Sequence, residues 1–290
     1  MSAKKHRTTA AKKSIQKRKK AAVTKPFPPL RMSGNPIAWY GWHADLPDHR
    51  DLLYSAIRPV RPALPPVVDL REKCSTVENQ GELGSCTANA LVGALEFLEL
   101  KRGGYFSDLS RLFLYYNERV LTHTTQQDSG GYLRDGIKTL NKQGICTETH
   151  WPYDIKKFTV KPPAKCYVEA EQRQILSYHS VRELDDARAC LAEGYPVVFG
   201  FSVYTAFESR EVAKTGIVNY PSRAERPVGG HAVFAVGYND SEQRFIVRNS
   251  WGADWGLLGY FTMPYEYAFG GGGRQALASD FWTIRDMEYL

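Results

Sequence analysis

The sequence predicts an α+β fold in two lobes, because helical patterns come first along the chain and strand patterns come later. Segments with helical periodicity dominate residues 80–170, and short β-branched or aromatic runs dominate residues 171–290. The chain has 290 residues and a hydrophobic fraction of 43%, which is enough to build one large domain or two lobes around a sizeable core. We therefore expect a helical lobe over about 80–170 and a β-rich lobe over about 171–290.

The basic character of the chain belongs to its first 25 residues. They carry ten Lys and Arg and no acidic residue, while the other 28 basic and 31 acidic side chains give residues 26–290 a charge of −3. Residues 1–25 are too charged and too poor in apolar side chains to bury a face, so they are predicted to be a disordered tail. Contact of this tail with nucleic acid or another anionic surface is one interpretation. A solvated or removable leader is the favoured one, because the tail has no aromatic residue to stack on bases.

Hydropathy predicts no membrane span and no classical secretion signal. No apolar run approaches the roughly 18 residues that a spanning helix needs, and no apolar segment follows the basic N-terminus. We expect a chain of bacterial type that stays in the cytoplasm or leaves the cell by a non-classical route.

The five cysteines contain no C-x-x-C pair, so the spacing predicts neither a zinc site nor a thioredoxin-like motif. No metal and no other cofactor is expected. Because the number is odd, at least one thiol is unpaired within the chain, and without a signal peptide most are expected to be reduced. A bridge between Cys146 and Cys166 stays open.

Residues 26–63 are rich in proline and aromatic side chains but show no regular period. The run WYGW at 39–42 places three large rings in four positions, and rings this dense usually pack on something. We interpret 26–63 as an extension that packs on a main body beginning at residue 64. It is either an inhibitory pro-segment or a permanent structural brace.

Four helices are predicted. From Cys86 to about Arg102 the residues are apolar nearly all round, which indicates a helix buried on most sides and ended by Gly103 and Gly104. Further helical patterns are SDLSRLFLYYNERV, with Ser107 or Ser110 as cap, YLRDGIKTLNKQGI and the short amphipathic ELDDARACLAEG. Strands are predicted at YPVVFGFSVY, HAVFAVGYND, RFIVRNSWG and GYFTMPY, since these short runs are bounded by Gly, Asp or Pro.

Cys86 is the first candidate for chemistry. An isolated cysteine in an apolar helix is usually a buried core thiol. Cys86, however, opens its helix directly after the loop QGELGS. The unpaired N–H groups and the positive dipole end of a helix N-terminus stabilise a thiolate and lower its pKa. The position therefore favours a nucleophile.

A thiolate nucleophile needs a base, a group that orients the base, and donors for the oxyanion. His231 begins an apolar strand after two glycines, and Asn249 ends a later strand, where it can accept Nδ1–H of an imidazole. Trp251 can shield that hydrogen bond from water. The side-chain amide of Gln80, together with the backbone N–H of Cys86, would form a two-donor oxyanion hole. Each residue is weak evidence alone, but the four roles are filled in one workable order.

These motifs resemble the papain-like cysteine proteases. The segments VVDLREK and ENQGELGSC, then SGGYLRDGIKTLNKQGI and THWPYD, then GHAVFAVGY and FIVRNSWGADWGLLGYF follow in the family's order and cover residues 64–290. His231 and Asn249 lie 145 and 163 positions after Cys86, near the spacing of the family. The segment YGWHADLPDHRD also resembles the extension of bacterial family members.

The resemblance implies a papain-like two-lobe fold, with a helical lobe, an antiparallel β-rich lobe and the active-site cleft between them. It implies a cysteine endopeptidase that hydrolyses protein or peptide substrates through a thioester acyl-enzyme. The implied roles are nucleophile for Cys86, acid and base for His231, and orienting partner for Asn249. Gln80 would be the oxyanion donor. The residues implied to contact extended substrate are Gly130, Gly131, Gly230 and Trp251.

Three departures from the family pattern stand out. Thr87 follows the nucleophile where the family usually has an aromatic residue, which is expected to change packing under the cleft rather than the chemistry. Leu83 replaces a common cysteine, so a frequent disulfide is missing. Gly230 stands where many relatives carry a side chain, which is expected to open the substrate pocket. The floor of that pocket is expected near residues 276–279.

The leading hypothesis is a cysteine peptidase made latent by its N-terminal segment. The alternative is a catalytically silent papain-fold binding protein, which is disfavoured because Cys86, His231 and Asn249 are all present. A transglutaminase-like acyl transferase would favour an aspartate at Asn249. A nucleic-acid-binding scaffold is disfavoured by the charge of −3 outside the tail.

Overall fold

The helical part of the chain is organised around one almost completely buried helix. The computed structural model describes residues 40–58, 63–103 and 106–288, and the predicted tail and the start of the extension lie outside these ranges. The helices of this part are α1 (Tyr54–Ile57), α2 (Cys86–Lys101), α3 (Arg111–Leu121), α4 (Leu133–Lys142) and α5 (Ala164–Ala170).

The helix α2 is buried on all sides from Cys86 to Glu99, as its apolar sequence predicts. It is followed by Gly103 in the left-handed conformation, with a φ of 71°, whereas Gly104 lies outside the described residues. The helix α3 begins after Ser110, whose hydroxyl accepts the backbone N–H of Phe113 at 3.1 Å. Ser110 is therefore the cap, and Ser107 is not.

The β-rich part forms one antiparallel sheet in the order β2-β7-β3-β4-β5-β6, with β1 paired to β4. Three short helices, α6 (Leu184–Ala192), α7 (Arg210–Thr215) and α8 (Tyr265–Phe269), lie between the strands. The strands are β1 (Val67–Asp69), β2 (Ile175–Ser180), β3 (Val197–Tyr204), β4 (Pro227–Asn239), β5 (Arg244–Arg248), β6 (Tyr260–Pro264) and β7 (Ala278–Met287).

Close contact between α2 and β4 joins the helices to the sheet. Gly93 of α2 lies so near the ring of Phe234 on β4 that a methyl group at Gly93 would be 2.6 Å from a ring carbon. Because α2 begins at Cys86 and β4 contains His231, this contact brings the first residue of the helix and the strand histidine to one place. The fold thereby assembles the site that the motifs predict.

The described part of the extension, residues 40–58, packs against both the helices and the sheet. Trp42 forms a parallel bridge with Gly131, and Leu53 forms one with Ser180 at the end of β2. Arg134 of α4 donates two hydrogen bonds to the carboxylate of Asp51, at 3.1 and 2.7 Å. These contacts place one end of the segment directly beside the predicted substrate-binding glycines.

All five cysteines lie within the described ranges and are free thiols. Cys146 and Cys166 are fully buried, and each thiol lies close enough to the other to affect its pKa. The thiol of Cys166 donates to the carbonyl of His150 at 3.6 Å. The two side chains that the sequence left open as a bridge are thus neighbours in space. Among the described helices, none has the length and apolar character of a membrane span.

Candidate active site

Cys86 is the first residue of α2 and is fully buried. The preceding Ser85 does not cap the helix with its side chain. Its hydroxyl instead lies 2.5 Å from the hydroxyl of Tyr153 and accepts a hydrogen bond from the side-chain amide of Asn89 at 3.1 Å. The turn that presents Cys86 is therefore held by side chains from two other parts of the helical lobe.

His231 lies on β4, opposite Phe201 of β3. Its Nε2 atom is 2.8 Å from Oδ1 of Asn249, and that same oxygen accepts the backbone N–H of Ser250. Because Oδ1 is an acceptor, Nε2 carries the proton and Nδ1 keeps the lone pair of the neutral ring. The expectation that Asn249 binds Nδ1–H is therefore wrong for this site. The Nδ1 atom is buried and has no hydrogen-bond partner within the described residues.

Trp251 covers the pair formed by His231 and Asn249. Its ring centroid is 5.1 Å from that of His231, and the two planes are inclined by 30°. Asn249 follows the end of β5, and its backbone N–H donates to the carbonyl of Gly259 at 2.9 Å. The indole thus occupies the shielding position that the sequence predicts for it.

Gln80 is fully buried and its side-chain amide is fixed at both ends. Its Oε1 accepts the hydroxyl of Ser250 at 2.5 Å, and its Nε2 donates to the carbonyl of Leu83 at 2.9 Å. Tyr153 donates to the backbone carbonyl of Gln80 at 2.9 Å. The loop that carries the predicted oxyanion donor is therefore tied to the strand end that carries Asn249.

The three predicted substrate-binding glycines present backbone groups to residues 41–43 of the extension. The N–H of Gly131 donates to the carbonyl of Gly41 at 2.6 Å, and the N–H of His43 donates to the carbonyl of Gly131 at 3.1 Å. The N–H of Trp42 donates to the carbonyl of Gly230 at 3.0 Å. Gly130, with a φ of 73°, packs so closely on Gly41 that a side chain would not fit.

Burial sets the protonation of the central pair. It raises the pKa of the Cys86 thiol to about 12, although backbone amides of Ala232 and Gly41 act against this shift. Burial also lowers the pKa of His231 to about 4, with the hydrogen bond to Asn249 acting in the opposite direction. The pair is therefore a neutral thiol and a neutral imidazole in this structure. The lowered thiol pKa expected from the helix N-terminus does not hold here, because desolvation disfavours both charged forms.

Thr87, the departure next to the nucleophile, makes a polar contact under the cleft. Its hydroxyl donates to Oε1 of Glu118 at 2.6 Å, and both residues are buried. Burial raises the pKa of Glu118 to about 8, so this carboxyl is mostly protonated at neutral pH. The same Oε1 atom lies where a side chain at Gly131 would have to be. The sequence predicts a change in packing at this position, and the structure shows it as a buried carboxyl group of Glu118 that lies beneath Gly131.

Sequence reasoning missed three contributors to the site. Tyr153 was noted only as part of a motif, and Gly41 only as part of a ring-rich run. Asp280 lies one position beyond the expected pocket floor, and its carboxylate accepts the indole N–H of Trp42 at 3.1 Å. The signal for the extension was a glycine flanked by large rings, but no local pattern says which surface such a run will contact.

Comparison with known proteins agrees with these assignments of fold and family. Residues 64–275 match the family described as papain family cysteine protease. An uncharacterised peptidase C1-like protein of Acanthamoeba polyphaga mimivirus is 47% identical over 231 residues, covering 76% of this chain and 73% of that protein. The thiol protease aleurain of Arabidopsis thaliana is 30% identical over 211 residues, covering 69% of this chain and 56% of aleurain.

Solved structures give the same result. Xylellain, a cysteine protease from Xylella fastidiosa, matches with a TM-score of 0.78 and 40% identity, covering 86% of this chain and 97% of xylellain. A cysteine protease of Carica candamarcensis matches with a TM-score of 0.58 and 23% identity, covering 77% of this chain and all of that one, which is a likeness of fold.

Proposed function

This chain belongs to the papain family of cysteine proteases, and we propose that its peptidase reaction proceeds through a thioester formed on Cys86. Three side chains support the proposal. Cys86 begins a helix, His231 lies on the strand that packs against this helix, and Asn249 binds the far nitrogen of the imidazole at 2.8 Å. The hydrogen bond that fixes the imidazole is the observation that carries the assignment, because it leaves Nδ1 as the nitrogen that can exchange a proton with the thiol.

In the proposed reaction Cys86 transfers its proton to Nδ1 of His231, and Sγ attacks the carbonyl carbon of the substrate. The C–S bond forms, the C–N bond breaks, and the imidazolium gives its proton to the leaving amine. A water molecule then gives a proton to His231 and attacks the thioester, the C–S bond breaks, and the imidazolium returns that proton to the sulfur. The products are a carboxylic acid and the free thiol. Asn249 holds the ring in one tautomer throughout.

Gln80 and the backbone N–H of Cys86 are proposed to stabilise the oxyanion that forms during each attack. The contacts of Gln80 with Ser250 and Leu83 fix which end of its amide is the nitrogen. Tyr153 supports this arrangement because its hydroxyl contacts both the carbonyl of Gln80 and the hydroxyl of Ser85. Donors that are held in place before the reaction need no reorganisation when charge develops.

The extension is proposed to keep the enzyme latent. Residues 40–43, here named the cleft segment, form hydrogen bonds with Gly131 and Gly230, the backbone edges that would bind a substrate. Tyr40 anchors one end through a hydrogen bond from its hydroxyl to Glu208 at 2.7 Å. At the other end, the ring of His43 lies 2.6 Å from the carbonyl of Ser129. A substrate cannot use the same edges while the segment is bound.

The cleft segment contacts both the Cys86 thiol and the backbone of Gly131. The backbone N–H of Gly41 approaches the Cys86 thiol, whereas the carbonyl of Gly41 accepts the N–H of Gly131. The segment also runs parallel to the backbone at Gly131, because Trp42 and Gly131 form a parallel bridge.

A single methyl group tests latency without removing any part of the chain. Gly41→Ala would place the methyl group onto the carbonyl oxygen of Gly84, so the segment should leave the cleft. The measurement is hydrolysis of a fluorogenic peptide blocked at both ends, which only an endopeptidase cleaves. We expect the full-length Gly41→Ala protein to turn over at least tenfold faster than the unmodified chain, since about 1.4 kcal/mol of lost docking energy is a factor of ten. Leu46→Ala, at an 80% exposed position of the same extension, is the matched control and should leave the rate of hydrolysis unchanged.

The outcomes separate the parts of the proposal. Equal rates for the unmodified chain and Gly41→Ala would contradict latency while leaving the peptidase reaction intact. Hydrolysis that survives in Cys86→Ala would contradict the thioester. Absence of hydrolysis and of labelling by an epoxysuccinyl inhibitor in every form would favour the silent binding protein.

A further inference from the structure

The side chain of Trp42 fills a pocket between β3, β4 and β7. The pocket exists because two of its walls are glycines: the indole overlaps the place where a side chain at Gly200 would be, and it lies 2.7 Å from that of Gly230. Trp42 is only 9% exposed there. Any larger residue at Gly200 would exclude a ring of this size, so the two glycines are matched to a large flat side chain.

Asp280 supplies a charged group that contacts the indole. Its Oδ2 accepts the indole N–H of Trp42 at 3.1 Å and the backbone N–H of Asp45 at 2.8 Å. Asp280 has a φ of 56°, which is a left-handed backbone conformation. Residues other than glycine adopt it uncommonly, although Asp and Asn do so more often than most. The strand β7 thus leaves its regular geometry at the residue that contacts the indole.

The two N–H donors to Asp280 belong to the extension and leave with it, whereas Ser279, whose side chain also hydrogen-bonds to Asp280, stays in place. The carboxylate then lies in a pocket without the two N–H donors that it had in the closed form. A purely apolar side chain that entered the pocket would remove water from this carboxylate and give no hydrogen bond in return. A flat side chain with an N–H donor would restore one.

We propose that Asp280 is a specificity-determining residue, and that the opened pocket prefers a large, flat substrate side chain with an N–H donor, namely indole or guanidinium. The proposal rests on the proposed function, because it takes the backbone edges of Gly131 and Gly230 to be those that bind substrate. Trp42 is then an internal copy of the preferred side chain, held by the same pocket. Arg134 forms ion pairs with Asp45 and Asp51 in the closed form, at 3.9 and 2.7 Å.

The test compares substrates that differ by one atom. Full-length Gly41→Ala protein is given blocked fluorogenic peptides that carry Trp, benzothienylalanine, Phe or Arg at each of the two positions before the cleaved bond. Benzothienylalanine has the shape of Trp with sulfur in place of the N–H group. We expect kcat/KM for the Trp peptide to exceed that for the benzothienylalanine peptide by about tenfold, because a buried acceptor without a donor is costly.

Two substitutions of Asp280 make the result specific to its carboxylate. Asp280→Gly, which suits the positive φ, should bring the ratio of Trp to benzothienylalanine close to one. Asp280→Asn keeps an acceptor but removes the charge, so it should retain the Trp preference and lose the preference for Arg over Phe. Ratios of kcat/KM measured on one variant are independent of the fraction that is folded.

Equal rates for Trp and benzothienylalanine in the Gly41→Ala protein, or a ratio that Asp280→Gly does not change, would overturn this proposal and leave the peptidase function standing. Failure to hydrolyse every peptide would overturn the proposed function, and the specificity proposal with it.

Discussion

The protonation of Cys86 is decided by the residues that cover it. A helix N-terminus lowers a thiol pKa, yet burial raises the pKa of Cys86 to about 12 and lowers the pKa of His231 to about 4. Desolvation wins because the cleft segment covers both groups. The N–H of Gly41 approaches the thiol, and the ring of Tyr40 lies edge-on to that of His231 with the centroids 6.1 Å apart. When the cleft segment leaves, water returns and the helix N-terminus is no longer outweighed, so the same two residues should form a thiolate and an imidazolium.

The pH dependence of alkylation tests this directly. A thiol with a raised pKa reacts only as the pH approaches that pKa from below, since the thiolate is the nucleophile. We expect the rate of iodoacetamide modification of Cys86, followed by peptide mass spectrometry, to rise only in the alkaline range in the unmodified chain. In Gly41→Ala the rise should begin at least two pH units lower. Identical profiles would show that the segment does not control the thiol.

The contact between Thr87 and Glu118 should stabilise the fold. Thr87→Val removes the only donor that the described residues offer to Glu118 Oε1, and it leaves a fully buried carboxyl oxygen unpaired. We expect a loss of about 1–3 kcal/mol in the free energy of unfolding, measured by urea denaturation. Thr205→Val, at an exposed position, is the control and should change it by less than about 0.5 kcal/mol. A loss no larger than that of the control would mean that Glu118 is satisfied in another way.

At the scale of elements, the sequence predicted those with a strong period and missed those without one. The prediction of α2 is confirmed because its apolar residues run on all sides, and β4 is confirmed as a run bounded by glycines. The helix Ala164–Ala170 is not among the predicted helices, because it follows Pro163 and its 7 residues are too few to show a clear helical period. The strand Ala278–Met287 was missed because acidic and basic residues interrupt its apolar pattern.

The docking of the extension should depend on pH through Asp45. Burial, and then the neighbouring Asp280 carboxyl, raise the pKa of Asp45 to about 7 in the closed form, against the lowering effect of Arg134. The closed form therefore binds a proton that the open form, with an ordinary Asp pKa near 4, releases. Docking is strongest below the open-form pKa, weakens as the pH rises through 7, and stays weak above it.

The measurement is the activity of the unmodified chain relative to Gly41→Ala, because this ratio cancels the pH dependence of the chemistry. We expect the ratio to increase by roughly a hundredfold between pH 5 and pH 8, because this interval covers about two pH units below the closed-form pKa of about 7 and each unit corresponds to a factor of ten. Asp45→Asn mimics the protonated form and should give a ratio that stays low and flat. A ratio that falls as the pH rises would reverse the sign and contradict this role of Asp45.

At the scale of the whole molecule, a buried polar chain connects the helices to the sheet. Arg111 of α3 binds Glu96 of α2 at 2.8 Å, and the same carboxylate accepts the hydroxyl of Ser75 at 2.6 Å. Arg248 at the end of β5 donates to the carbonyl of Ser75 at 2.7 Å. The chain therefore runs from the helical lobe to the strand that ends one residue before Asn249.

Breaking this chain should destabilise the protein strongly. Arg111→Met leaves Glu96 buried without its cation, and the loss of one partner from a buried pair costs about 3–5 kcal/mol. We expect a loss of that size in urea denaturation. Arg71→Met breaks an exposed pair with Asp69 and should cost less than about 1 kcal/mol. Equal losses of unfolding free energy in the two variants would mean that the buried ion pair stabilises the protein no more than the exposed one.

The family, the fold and the candidate residues of the site followed from motifs in chain order, because each motif carries its own local signal. The closed form, in which the cleft segment occupies the cleft, could not be predicted from the sequence. It depends on contacts of Gly41 with Gly131 and of Trp42 with Gly230, and these residues are far apart along the chain. No periodicity in residues 26–63 encodes which surface they bind. The sequence predicted that Asn249 contacts Nδ1 of His231, but the contact is with Nε2. Which nitrogen is contacted depends on the direction from which β5 approaches β4, and no local motif encodes that direction.

The most direct test of the central claim, that the cleft segment blocks a competent Cys86, is intact-protein mass spectrometry after treatment with an epoxysuccinyl peptide inhibitor. The full-length chain, Gly41→Ala and Gly41→Ala with Cys86→Ala are treated in parallel. We predict one adduct on Gly41→Ala, little or none on the unmodified chain over the same time, and none when Cys86 is absent. Equally rapid labelling of the unmodified chain and Gly41→Ala would contradict the claim that residues 40–43 close the cleft.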